Sequence, residues 1–219
     1  MSENLYEEYA RVARELAQTY RVPDILSPET RLVFVLESPH VQELKFGAPV
    51  SGPSGATMTK HLFGDDYARY PLGRLVKKNA DDKVHRPRLD RIGLMNVCNI
   101  PMQAAAYDNQ EVVETYGRWM QAMATLRSSN QTDQYRDKHV EAVQAVLVHS
   151  LRRKLQSLIG RPLTLVPCGR FAQKFFRLAG VHSPGWIVID GVPHPSYNSW
   201  DRAQYQDVIG RVCQVLNDE

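Results

Sequence analysis

Apolar residues fall along this chain in two patterns. Four short runs are continuous and bulky: Leu32-Val33-Phe34-Val35-Leu36, then residues 91–97, 162–167 and 186–190. Runs of this length suit strands covered on both faces, as in a parallel sheet packed between helices. Elsewhere apolar residues recur at the helical period. Residues 2–20 do so through Leu5, Tyr9, Val12, Leu16 and Tyr20, residues 109–127 through Val112, Tyr116, Met120 and Met123, and residues 134–159 through Val140, Val143, Leu147, Leu151 and Leu155. Further helices are predicted over 56–63 with Ser54 as the cap, from 168 onward through Ala172, Phe175 and Phe176, and over 201–216. Residues 70–88 carry Pro71, Gly73, Pro87 and six Lys or Arg with no sustained apolar period, and read as an irregular basic excursion. Strands alternating with helices predict an α/β fold. The expected form is a three-layer α/β/α sandwich around a small, mainly parallel four-stranded sheet, with residues 1–219 forming a single domain.

Composition narrows the class without naming a function. The chain has 219 residues, 43% of them apolar and 23% charged, which is ordinary for a globular protein with a real core. A net charge of +3 permits contact with a polyanion without demanding it. The three cysteines, Cys98, Cys168 and Cys213, form no C-x-x-C pair, so neither a disulfide framework nor a cysteine-rich metal site is expected. The N-terminus lacks a basic segment followed by an apolar one, and no apolar run spans a bilayer, so a cytoplasmic protein without membrane contact is expected. Phosphate-binding loops, dinucleotide fingerprints and G-x-S-x-G elbows are absent from the sequence, which disfavours the common nucleotide-binding and α/β-hydrolase classes.

Parallel sheets place chemistry at the carboxyl ends of their strands, and polar residues gather there. Glu37-Ser38-Pro39-His40 follows the first run, and then Gly47-Ala48-Pro49-Val50-Ser51-Gly52-Pro53-Ser54-Gly55 supplies glycines that permit close backbone approach to a ligand. Asn96 ends the second run. Its carboxamide offers a donor and an acceptor in one plane, the pattern that reads a base edge, or else it satisfies loop backbone. His194 is clamped between Pro193 and Pro195, which restricts the backbone that presents its imidazole. The basic excursion at 70–88 either steers a phosphate backbone or is a solvated loop.

In combination these segments resemble the uracil-DNA glycosylase superfamily. The nearest pattern is the branch whose first motif reads G-E-A-P-G and continues into a G-x-P-F-V-G-x-A-G loop. Leu36-Glu37-Ser38-Pro39-His40 and the segment from Gly47 to Gly55 match it with the same separation, Asn96-Val97 matches its asparagine-valine, and His194-Pro195-Ser196-Tyr197 matches its terminal H-P-x-Y. The resemblance implies a monomeric DNA glycosylase of base excision repair that needs no cofactor and acts on DNA containing a damaged or deaminated base. On that basis His194, Glu37 and Ser38 are the catalytic candidates, His194 donating to the base O2. Asn96 would select uracil over cytosine, within a pocket built from Pro39, His40, Phe46, Val50 and Gly52. Ser54, Gly55 and Ser196 would bind phosphates, with Tyr197 or Asn198 filling the vacated stack. The chain also departs from the pattern. Ser38 stands where the most active members carry an aspartate, Val50 where a phenylalanine stacks on the base (leaving Phe46 as the alternative platform), and His40 where a glycine stands. Three scattered cysteines cannot supply the branch's four-cysteine iron–sulfur cluster, so none is expected. The alternative expectation is a DNA-binding module that keeps the fold with little or no turnover.

Overall fold

The computed structural model describes residues 3–217. Its four strands are β1 (Leu32–Leu36), β2 (Ile92–Asn96), β3 (Leu163–Pro167) and β4 (Trp186–Val188). Among the described residues there are ten α-helices: α1 (Glu3–Tyr20), α2 (Val41–Phe46), α3 (Pro53–Phe63), α4 (Leu72–Asp81), α5 (Pro87–Asp90), α6 (Gln110–Thr115), α7 (Gly117–Ser128), α8 (Lys138–Gln156), α9 (Gly169–Ala179) and α10 (Gln206–Asn217). The sheet has the order β2-β1-β3-β4 and every pairing is parallel, with Leu36 opposite Asn96 and Val35 opposite Pro167.

The continuous apolar runs are buried on both faces because each face meets its own helical layer. Val33 and Val35 point with Met95 and Leu165 into a core closed by α1, α7, α8 and α9 through Tyr9, Leu16, Trp119, Met123, Leu147 and Phe175. Leu32, Phe34 and Leu36 point the other way with Ile92 and Leu94, against Met58 and Leu62 of α3, Leu72 and Val76 of α4, and Ile209 and Val212 of α10. This is the three-layer α/β/α arrangement expected from the strand–helix alternation. β4 is a short edge strand whose Ile187 and Val188 remain exposed.

Several boundaries differ from the sequence reading, each for a local reason. The stretch 70–88 is ordered as α4 and α5 rather than irregular; α4 buries Leu72, Gly73, Val76 and Asn79, two of which carry no apolar signal. The single helix expected over 109–127 is broken at Tyr116, whose backbone leaves the helical region (φ −102°, ψ 29°). Asp137 accepts from the backbone N–H groups of His139 and Val140, so α8 begins at Lys138 instead of near 134. The closing helix starts at Gln206, after two 3₁₀ turns at Ser199–Asp201 and Ala203–Tyr205. Ser54 is not a cap: Gly52 holds that position and Ser54 lies inside the first turn of α3. Ser2, where the first helix was expected to open, lies outside the described residues. No described helix is long and apolar enough to cross a membrane, and no cluster of three His, Cys, Asp or Glu among the described residues is placed to hold a metal ion.

Candidate active site

The carboxyl ends of the parallel strands open on one cleft of roughly 960 Å³. Its wall takes Glu37 and Ser38 from the end of β1, Asn96 from the end of β2, Cys168 and Gly169 from the end of β3, and His194 from the loop after β4. Two backbone bonds hold these ends together. The Cys168 N–H donates to the Val35 carbonyl at 2.8 Å, and the Gly169 N–H to the Val192 carbonyl at 2.8 Å.

Asn96 is fixed by its main chain. Its N–H donates to Asp24 Oδ1 at 3.0 Å and its carbonyl accepts from Lys154 Nζ at 2.6 Å, while Lys154 pairs with Asp24 at 3.1 Å and Asn99 Nδ2 donates to the same carboxylate at 2.8 Å. Lys154 thus ties α8 to the end of β2 instead of standing in solvent. The Asn96 side chain is only 2% exposed, and its Nδ2 has no hydrogen-bond partner in the protein. A buried donor left unpaired costs about 1–3 kcal/mol, an arrangement that a ligand acceptor would relieve.

His194 has one assignable tautomer. Its Nδ1 accepts from the backbone N–H of Ser196 at 3.2 Å and lies 2.8 Å from Ser196 Oγ, so the neutral ring carries its proton on Nε2. Burial lowers its pKa from the ordinary histidine value, and this outweighs the pull of the Glu37 carboxylate in the opposite direction; Arg127 lowers it further. The loop behind it is tied down by hydrogen bonds. Trp200, fully buried, donates from Nε1 to the Pro193 carbonyl at 3.0 Å, and Ser199 donates to the Ser196 carbonyl through both N–H and Oγ. Gly169, at φ +84°, makes room for His194: a Cβ there would stand 2.7 Å from the His194 Cβ.

Glu37 is held by Arg127, whose Nε donates to Oε1 at 2.5 Å. The other carboxylate in the wall is Glu43, which accepts from the His40 N–H at 3.1 Å and whose pKa is raised by burial. Cys168 in the wall is no nucleophile at neutral pH, because burial pushes its thiol well above the usual range.

His40, Val50, Gly52, Ser54, Ser196 and Tyr197 also line the cleft. Val50 does so with a left-handed backbone (φ 48°), which is costly for a β-branched residue. Tyr197 and Asn198 are both left-handed, and the Tyr197 ring stands 89% exposed. Four expected residues do not form the wall. Phe46 faces away and lies under the Arg74 guanidinium, 4.1 Å from the ring centroid, so it is no stacking platform for a base in the cleft. Pro39 is buried behind the wall. Gly55 is packed against the Val50 carbonyl, where a Cβ would stand 1.7 Å from the oxygen, and its N–H donates to the Gly52 carbonyl at 3.0 Å. Asn198 opens the first 3₁₀ turn outside the wall. Missing from the sequence reading are Arg127, Asn130, Arg170 and Phe171, all in the wall. The run ending at Pro167 marks Gly169 to Phe171 by the same strand-end rule that found Glu37 and Asn96. No sequence signal marks Arg127, which reads as an ordinary basic residue at the end of a helical pattern. No family model matches the chain, and no curated protein matches its sequence.

Proposed function

We propose that the cleft is the active site of a DNA glycosylase that hydrolyses the N-glycosidic bond of uracil or another deaminated base. The observation that carries this reading is Asn96, which lines the cleft together with His194 and whose Nδ2 has no partner in the protein. Uracil presents O4 as acceptor beside an N3–H donor, the complement of a carboxamide, whereas cytosine presents the opposite pair. Water attacks the deoxyribose C1′ as the C1′–N1 bond breaks, and the bonding pair leaves on the base. The neutral His194 donates its Nε2–H to O2 of that departing anion, the kind of preorganised donor that supplies most of the barrier reduction in dry sites. The water's proton passes to the Glu37 carboxylate or to solvent. Extruding the base costs a few kcal/mol and leaves a gap in the stack, for which the exposed Tyr197 is the filler at the cleft's rim.

A second reading, binding without turnover, is favoured by one feature. Of the two carboxylates in the wall, Glu37 is held by Arg127 and Glu43 accepts from the His40 N–H, so each is already engaged by a protein donor instead of standing free to orient an attacking water. The test is a labelled oligonucleotide carrying uracil, hypoxanthine or xanthine, incubated with the protein and cleaved at abasic sites by alkali. Release of uracil is expected, falling by at least about a hundredfold in His194→Ala. Salt-dependent DNA binding with no release from any base would select the second reading.

A further inference from the structure

The cleft leaves one feature of the surface unused. Behind the Gly47–Gly52 loop, α4 is flanked by two grooves of about 840 and 570 Å³ that share Tyr70, Leu75 and Arg86, so they form one continuous furrow. Aromatic rings occur along its whole length: Phe46, Tyr70, Tyr67 and Phe63. Tyr67 is 48% and Tyr70 42% exposed, more than packing of the furrow requires. Cations alternate with the rings. Arg74 lies over Phe46, and Arg69 lies 5.0 Å from the Tyr70 centroid.

The charges in the furrow differ in availability. Lys77 and Lys78 are neutralised by Asp81 and Asp82 one helical turn on. Arg69, Arg74 and Arg86 have no carboxylate partner among the described residues; Arg69 and Arg74 stand over ring faces, and Arg86 lines both grooves. Asp65 and Asp66 precede Tyr67, so attraction to a polyanion is strongest toward Phe46.

We propose that this furrow is a second nucleic-acid site, binding single strands through base stacking on Tyr70 and its neighbours and through phosphate contacts to Arg69, Arg74 and Arg86. Ring faces accept any base and guanidinium groups track the backbone, the two components of sequence-tolerant single-strand binding. A duplex keeps its bases stacked inside and offers nothing to the rings. The proposal is independent of base excision in the cleft.

The test is fluorescence anisotropy with oligo-dA and oligo-rA of about twelve nucleotides, a length within the usual site sizes, neither of which contains a deaminated base. The wild type is expected to bind the single strand at least about tenfold more tightly than a duplex of the same length. Tyr70→Ala should weaken binding about tenfold with its salt slope unchanged, since a stacked base is lost. Arg74→Ala should reduce the salt slope by about 0.7, the share of one phosphate contact. His194→Ala should bind the oligonucleotide as the wild type does. Either order of DNA and RNA supports the site and shows whether it senses the 2′-hydroxyl. Absence of binding at low salt, wild-type affinity in both Tyr70→Ala and Arg74→Ala, a duplex bound as well as the single strand, or displacement by an equal concentration of polyglutamate would each overturn it. So would loss of binding in His194→Ala, which would place the oligonucleotide in the cleft.

Discussion

Asn96 carries an amide nitrogen sealed from water and bonded to nothing. Such a group opposes folding by about 1–3 kcal/mol, so Asn96→Ala is expected to be no less stable to urea than the wild type while base release falls by at least about a hundredfold. Denaturation curves run beside the cleavage assay check both halves; a stability loss above about 2 kcal/mol would mean that the amide is bonded in the folded protein. His194 makes a pH prediction. Its folded pKa lies below its unfolded value near 6.5, so between the two values the unfolded chain binds more protons. The stability contributed by keeping this ring neutral is complete above about pH 6.5 and is lost as the pH falls toward the folded pKa. Protonation would also set a new Nδ1–H against the Ser196 N–H. The acid limb of the pH–rate profile is accordingly expected below 6.5, and it should vanish in the residual activity of His194→Ala.

Between elements, the site depends on two fittings that no local pattern reveals. Lys154 crosses from α8 to the last carbonyl of β2 and to Asp24. Lys154→Ala strips a half-buried carboxylate of its cation, and a loss of about 1–3 kcal/mol is expected by thermal or chemical denaturation. Gly169→Ala, at the first position of α9, would press a methyl group into His194. Base release should fall while the far-ultraviolet spectrum stays unchanged. The strand ends were legible because apolar runs stop abruptly at Glu37, Asn96 and Pro167. Helix α4 was not, since Gly73 and Asn79 occupy two of its four buried positions: one admits the Pro49 carbonyl and the other donates to Asp90. Arg127 and Asp24 were illegible for a different reason. Their partners, Glu37 and Lys154, lie 90 and 130 residues away, and only folding sets the distance.

At the scale of the molecule, an all-parallel sheet sends every strand's carboxyl end to one rim, so residues from 37 to 197 share a cleft. A ligand seated there binds the folded rim and not the unfolded chain, and so stabilises the fold. Free uracil at a hundred times its dissociation constant is expected to add about 2.7 kcal/mol, read as a raised melting midpoint in the wild type and no shift in Asn96→Ala. The loop that walls this rim contains Val50, held at a positive φ between the close approaches of Gly55 and Gly73. A branched side chain in that conformation costs on the order of 1–3 kcal/mol, and glycine would occupy it at ease. Val50 is also only 5% exposed within the core, and giving up its side chain costs a similar amount, so Val50→Gly should leave the melting midpoint nearly where it was while it widens the recess.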